Sequence, residues 1–187
     1  GGFGSYVNSS SVWQSYYRCY AIHGTNGVVL SQNVGYDVTG HCFFLEDGVE
    51  ELNVLEFNLA ALTHTLGPTH EIPSTGRFMN QPLEVVYESN ALILPTDLAA
   101  SPFYITNARN SFVGNAASGG FAGYLLPSLP RPVKLHRSVE SIPQNKPFVV
   151  FKGNSAHSCA FWYGNSGGVY IGGLLMHSAE DGRLLYM

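Results

Sequence analysis

The chain has 187 residues, a formal net charge of −4 and only nine Lys and Arg residues. A chain of this length can bury enough apolar surface to fold without disulfide or metal staples. So few cations argue against a nucleic-acid partner, because neutralising phosphates requires clustered Lys and Arg. The densest basic group, Arg131, Lys134 and Arg137, is interpreted as part of a solvated loop.

The sequence contains 21 Gly and 22 Phe plus Tyr residues, while charged residues make up 12%. That balance is typical of a turn-rich β protein. No apolar run of about 18 residues occurs and no basic-then-apolar leader is present, so we expect neither a membrane span nor a signal peptide. The chain begins with Gly1 rather than Met, which we interpret as cleavage from a longer precursor or from a fusion.

The cysteines Cys19, Cys42 and Cys159 are odd in number and widely spaced, without a zinc-type pairing. This arrangement favours reduced, buried thiols in a cytosolic setting.

Short apolar, β-branched and aromatic runs recur between turn signals along the chain, as in a β-barrel or β-sandwich. The runs cover residues 17–22, 28–30, 42–45, 83–87, 91–94, 123–126, 147–151, 159–163, 169–171 and 174–177. Asn26-Gly27 and Gly172-Gly173 stand between such runs at the spacing of two-residue hairpins. We therefore predict strands paired by hairpins, with no repeat of fixed period.

One segment, residues 50–63, has the spacing of an amphipathic helix, with four leucines on one face. These are Leu52, Leu55, Leu59 and Leu62. Two prolines bracket small residues at 95–102, which predicts a boundary between two β domains, residues 1–98 and 99–187. Residues 106–123 and 127–132 are interpreted as loops.

A glycine-rich turn, Gly164-Asn165-Ser166-Gly167-Gly168, lies between two strand-like runs. Such a turn can hold the Ser166 hydroxyl outward as a nucleophile, while the backbone N–H groups of Gly164, Asn165 and Ser166 form an oxyanion hole. Near the other end, Val38-Thr39-Gly40-His41-Cys42 ends a predicted strand and places His41 beside a small residue and a cysteine. A neutral imidazole there can take the serine proton and return it to the leaving amine.

The third member of a histidine, carboxylate, serine order should lie between His41 and Ser166. Glu88 is favoured because it follows the apolar run 83–87 and closes the first β half. Asp97 and Glu56 remain alternatives, as does a dyad without an acid.

His177 ends the run 174–177, and a hairpin at residues 172–173 would bring it beside the serine turn. A neutral imidazole donates one hydrogen bond, which suits the side-chain carbonyl of glutamine. Met176 precedes this histidine, and both are predicted to line the substrate pocket.

Together these segments resemble the chymotrypsin-like (3C-like) main proteinases of nidoviruses, with a serine nucleophile as in toroviruses or bafiniviruses. Residues 16–21 and 40–42 resemble the family's early segments, and residues 161–168 resemble its nucleophile loop. Phe161 stands five residues before the nucleophile, where coronavirus relatives carry the aromatic residue that packs on the pocket histidine.

The resemblance implies a two-barrel, all-β fold with the active site between the barrels. It also implies a serine endopeptidase that cleaves a viral replicase polyprotein after glutamine in the cytoplasm of the infected host cell. The substrate polyprotein is the expected partner, and no metal, cofactor or nucleic acid is expected. Two other interpretations stay open: an astrovirus-like or sobemovirus-like serine protease, and a non-catalytic β-barrel binding module.

Overall fold

The computed structural model of the protein describes residues 4–64, 100–159, 167–177 and 184–186. Within these ranges it has sixteen strands and two 3-10 turns, Lys134–His136 and Pro143–Asn145. The strands are β1 Tyr6–Asn8, β2 Ser11–Trp13, β3 Tyr20–Ile22, β4 Val29–Ser31, β5 Val34–Thr39, β6 Phe43–Leu45, β7 Val54–Glu56, β8 Leu59–His64, β9 Phe103–Ile105, β10 Ser111–Val113, β11 Ala116–Gly119, β12 Tyr124–Ser128, β13 Val150–Lys152, β14 Ser155–His157, β15 Val169–His177 and β16 Leu184–Tyr186. No helix in this part of the chain has the length and apolar character needed to cross a membrane.

Every third strand belongs to the same sheet. The first sheet contains β1, β4, β7, β10 and β13; the second contains β2, β5, β8, β11 and β14; the third contains β3, β6, β9, β12 and β15, with β16 at its edge. Pairing within the first and second sheets is parallel throughout. The chain therefore winds five times through three sheets, which is a three-sided parallel β-helix. We call each set of three successive strands a coil and number the coils in chain order, so that coil one contains β1, β2 and β3.

The predicted two-barrel chymotrypsin-like fold is wrong, although the structure is all-β with little helix. A barrel of that kind joins neighbouring strands by hairpins, whereas a coil needs a parallel partner from the next coil. Among the described residues only β15 and β16 pair in antiparallel fashion. Strands on both sides of the predicted division between residues 98 and 99 share one sheet, since β6 pairs with β9.

The predicted hairpins and helix are also replaced by parts of coils. Asn26-Gly27 joins β3 to β4, which lie in different sheets, and Gly172-Gly173 lies inside β15. Residues 50–63 contain β7 and most of β8. Leu55 is fully buried in the core, whereas Leu59 and Leu62 are exposed, so the four leucines do not share one buried face.

A stack of four aromatic rings fills the core beneath the third sheet. The rings of Tyr20, Phe43, Phe103 and Tyr124 come from four successive coils, with centroids 4.7, 4.7 and 4.8 Å apart. That spacing equals the distance between adjacent strands, so each ring lies over the ring of the coil below. Burial raises the pKa of Tyr20 to about 12, while its hydroxyl donates to the Ser10 carbonyl at 2.9 Å.

A ladder of asparagines runs along the corner between the first and second sheets. Its members are Asn33, Asn58, Asn115 and Asn154, one from each of coils two to five. The Asn58 amide nitrogen Nδ2 donates to Asn115 Oδ1 at 3.0 Å, and Asn58 Oδ1 accepts from Asn33 Nδ2 at 3.1 Å. Each side chain also binds backbone groups of neighbouring coils, as Asn58 Nδ2 does with the Leu30 carbonyl at 2.9 Å. The ladder thus satisfies buried polar groups at every turn of this corner.

We expect Asn58→Ala to lower the free energy of unfolding by about 3 kcal/mol, because it leaves the buried Asn33 N–H and Leu30 carbonyl without their partner. Urea denaturation followed by circular dichroism measures the change. The matched control is Asn145→Ala at an exposed 3-10 position, which should change stability by less than about 0.5 kcal/mol. Equal stability of the two variants would show that the ladder does not hold the coils together.

Candidate functional site

The connection between β12 and β13 folds back over the corner that follows the third sheet. We call residues 129–146 the corner loop. Its Val133 N–H donates to the Asp47 carbonyl at 3.0 Å, although Asp47 lies two coils earlier. A Cβ atom at Gly48 would lie 2.7 Å from the Leu129 side chain and 2.8 Å from that of Pro143. Glycine at this position, with φ of +87°, therefore permits the loop to approach the corner.

Two adjacent carboxylates, Glu46 and Asp47, follow β6 and lie beneath the corner loop. They are only 4% and 3% exposed. The Lys134 ammonium forms an ion pair with Glu46 Oε2, and His136 Nδ1 lies 2.6 Å from Asp47 Oδ2. His23 Nδ1 lies 3.3 Å from the other Asp47 oxygen, Oδ1. Buried carboxylates need such partners, and here the partners come from a different coil and from the loop.

A third carboxylate, Glu50, has a structural role at the same corner. It is fully buried and accepts hydrogen bonds from the N–H groups of Gly24 at 2.8 Å, Gly48 at 2.9 Å and Asp47 at 3.3 Å. Because these donors come from two successive coils, Glu50 fixes the turn that presents Glu46 and Asp47. These hydrogen bonds hold the corner independently of the corner loop.

The outer surface of the corner loop is basic. It carries Arg131, Lys134, Arg137 and Lys146 against one carboxylate, Glu140, a formal charge of +3 on a chain of net −4. Lys146 pairs with Glu51 at 3.3 Å, so its charge is already partnered. Arg131 and Arg137 are both exposed. The loop thus keeps two solvated guanidinium groups next to its anchored lysine and histidine.

His23, Glu46 and Asp47 present ligand atoms within 4.8 Å of one another, a grouping of a kind that can hold a divalent cation. Glu46 Oε2, however, is the oxygen that the Lys134 ammonium contacts. An ammonium in that position competes with a cation for the same lone pairs. The arrangement therefore fits an anchor for the loop better than a metal centre.

The structure places His41 between β5 and β6, fully buried. Its ring stacks on Phe44 at 5.4 Å and lies 4.3 Å from the Tyr104 ring, while Nδ1 accepts a hydrogen bond from the Ser101 N–H at 3.0 Å. Gly40 before it has φ of +93°, and a Cβ there would lie 2.3 Å from the Tyr17 carbonyl oxygen. The segment that resembles a protease histidine motif is thus a tight corner of the β-helix.

Most other residues predicted for the catalytic site lie outside the described residues. These are Glu88, Asp97, Phe161, Gly164, Asn165 and Ser166. Met176 and His177 belong to β15 and pair with Leu185 and Leu184 of β16. Glu56 ends β7 and accepts a hydrogen bond from the Ser31 hydroxyl at 3.2 Å.

The sequence does contain a signal for Glu46 and Asp47, although the motif analysis does not single them out. Glu46-Asp47 directly follows the apolar run 42–45 in a chain with 12% charged residues. Two adjacent acids at the end of a buried strand need partners, but nothing local indicates Lys134 and His136, nearly ninety positions away.

The sequence profile of the family described as CEMIP beta-helix matches residues 2–164. Communication mutant protein F of Dictyostelium discoideum is 48% identical over 182 residues, 97% of this chain and 16% of that protein. A G8 domain-containing protein of the same organism is 47% identical over 182 residues, 97% of this chain and 12% of that protein. The human cell surface hyaluronidase CEMIP2 is 36% identical over 160 residues, 82% of this chain and 11% of that protein.

The chain belongs to the CEMIP beta-helix family. It spans between 11% and 16% of the length of these three relatives. The resemblance to nidovirus proteinases, the serine endopeptidase activity and the release from a viral polyprotein into host cytoplasm are therefore wrong. They rested on short glycine-rich and histidine segments, and the structure shows that the His41 segment is a glycine-bounded corner of the β-helix.

We expect Asp47→Ala to release the corner loop, because His136 and His23 both lose the carboxylate that they contact. Tryptic cleavage after Lys134 or Arg137 should become about tenfold faster, since cleavage follows the population of the open loop. Timed digestion with mass mapping of the first fragments measures this rate.

Glu140→Ala is the control, because it removes an exposed carboxylate from the same loop and makes the same charge change. It should leave the cleavage rate near that of the parent. Equal rates for Asp47→Ala and the parent would contradict the anchoring role of the buried carboxylates.

Proposed function

We propose that this chain is a non-catalytic β-helix module that binds an anionic polysaccharide of the hyaluronan type through the corner loop. The observation that carries the proposal is the basic loop anchored on two buried carboxylates, which leaves Arg131 and Arg137 facing solvent. The substrate class comes from the name of a relative, a cell surface hyaluronidase. A non-catalytic binding module is one of the alternatives that the sequence analysis left open, although that alternative assumed a β-barrel and not a β-helix.

The chemistry of the loop suits a polymer that carries a carboxylate in every disaccharide repeat. A guanidinium presents a planar fork of N–H donors that matches a carboxylate with two parallel hydrogen bonds. Arg131 and Arg137 flank the first 3-10 turn, Lys134–His136, so their Cα atoms are held by a defined backbone. Two such groups on one rigid segment can contact successive acidic sugars.

Order in the free loop favours binding. The Val139 N–H donates to the His136 carbonyl at 2.9 Å, and the Gln144 N–H donates to the Leu129 carbonyl at 3.0 Å. A loop that is already held in its binding conformation loses less conformational entropy when a ligand binds. Lys134 and His136 contribute to this order through Glu46 and Asp47.

The same contacts argue against polysaccharide cleavage by Glu46 and Asp47. Glycoside hydrolysis needs one carboxyl group as an acid and a second as a base or nucleophile, both in reach of the scissile bond. Here both carboxylates are nearly fully buried, Glu46 is paired with Lys134, and Asp47 contacts His136. Binding is therefore the function that this corner supports best.

The test is the affinity of the chain for hyaluronan oligosaccharides, measured by fluorescence anisotropy at two salt concentrations. The double variant Arg131→Gln, Arg137→Gln should bind about tenfold more weakly, or about 1.4 kcal/mol, because each exposed ion pair is modest in energy. The parent's affinity should fall as salt increases, since the charges are solvent-exposed.

Lys152→Gln is the matched control, because Lys152 is an exposed cation on β13 in the first sheet. It should bind hyaluronan like the parent, and the parent should not bind neutral dextran. Unchanged affinity in the double variant, or equal binding of dextran, would contradict the proposal.

A further inference from the structure

Two cysteines from successive coils meet at the corner before the third sheet. Cys19 directly precedes β3 and Cys42 directly precedes β6, and these strands pair in parallel with Tyr20 opposite Phe43. The Cys19 N–H donates to the Cys42 carbonyl at 3.1 Å. Paired positions on adjacent strands lie about 4.8 Å apart, within the Cα separation that a disulfide accepts.

The sulfur atoms themselves are in direct contact. The two Sγ atoms lie 2.6 Å apart, and both cysteines are free thiols in the structure. Cys42 is fully buried and Cys19 is partly exposed. Both side chains therefore point at each other from neighbouring coils rather than toward separate parts of the core.

Gly35 provides the space that the two sulfur atoms occupy. It lies on β5, and a Cβ atom there would be 2.1 Å from Cys42 Sγ and 2.7 Å from Cys19 Sγ. A Cβ atom at this position would require the sulfur atoms or the backbone to move. The close cysteine pair therefore depends on two features: the register of β3 and β6, and the absence of a side chain at Gly35 in the second sheet.

We propose that Cys19 and Cys42 form a disulfide that links the first two coils when the chain meets a disulfide oxidant such as oxidised glutathione. The expectation of reduced thiols came from cysteine spacing along the sequence. In this β-helix, however, Cys19 and Cys42, 23 positions apart in sequence, occupy the same place on the first and second coils. The pair is then a redox-sensitive clamp on the stacked coils.

The reaction begins at Cys19, because burial raises the pKa of the Cys42 thiol and disfavours its thiolate. The Cys19 thiolate attacks one sulfur of oxidised glutathione, forms a mixed disulfide and releases the other half as a glutathione thiolate. Cys42 then loses its proton, and its sulfur attacks Cys19 Sγ and displaces the second glutathione. Overall, two protein thiols lose two protons and two electrons, and oxidised glutathione becomes two thiols.

The test uses the full chain in glutathione buffers that range from reducing to oxidising. After unfolding, free thiols are alkylated and peptides are mapped by mass spectrometry. We expect a cross-linked peptide containing Cys19 and Cys42 in the oxidising buffers, lighter by two hydrogen atoms than the sum of its parts. Its loss in the reducing buffers should be complete.

Cys159 provides the internal control, because it lies in the fifth coil and its Sγ donates to the His157 carbonyl at 3.2 Å. Cys159→Ser should leave the cross-link unchanged, whereas Cys19→Ser should abolish it. Alkylation of both Cys19 and Cys42 in the most oxidising buffer, or a cross-link that involves Cys159 instead, would overturn the proposal.

A second readout does not depend on peptide mapping. Reductant should lower the melting temperature of the oxidised parent by about 5 °C, since a cross-link restricts the unfolded chain. The same reductant should not affect Cys19→Ser. An equal shift in both proteins would show that the thiol pair does not clamp the coils.

Discussion

Hydrogen bonding between successive coils is the interaction on which the rest of this structure depends. Each of the strands β1 to β15, three to nine residues long, pairs in parallel with strands of neighbouring coils, and β15 also pairs with β16. Side chains at equivalent positions of successive coils then lie one strand spacing apart, so similar side chains stack on one another. The aromatic stack from Tyr20 to Tyr124 and the asparagine ladder are two results of this one constraint.

Coil stacking also explains where loops and functional side chains can be located in this fold. The strands are short and direct part of their side chains into one shared core, so long connections are accommodated at the corners between sheets. The corner loop leaves the fourth coil and reaches back to Asp47 of the second coil, and the backbone hydrogen bonds of the sheets continue beneath it. Buried carboxylates hold that loop in place, and the exposed arginines can then serve recognition. The same stacking brings two cysteines into register.

Several features were within reach of the sequence. The abundance of glycine and aromatic residues and the short apolar runs indicate an all-β protein with little helix, and the structure agrees. The repeat was present but hidden. Asn53 and Asn58 in one coil match Asn110 and Asn115 in the next, five residues apart in each case, but the offset between these coils is 57 residues, whereas Asn33 and Asn58 are only 25 residues apart. A search for one fixed period fails when insertions of unequal length occupy the corners.

The sequence by itself determined the all-β class, because apolar, β-branched and aromatic runs favour extended backbone. It did not determine every strand, since β7 and most of β8 lie in a segment predicted as a helix and β10 and β11 in one predicted as a loop. It also determined that Arg131, Lys134 and Arg137 belong to a solvated loop. Only the tertiary structure decided which strands pair, since a parallel partner and a hairpin partner require the same residues and differ in how the chain returns. For the same reason it alone brought Lys134 to Glu46, His136 to Asp47 and Cys19 to Cys42.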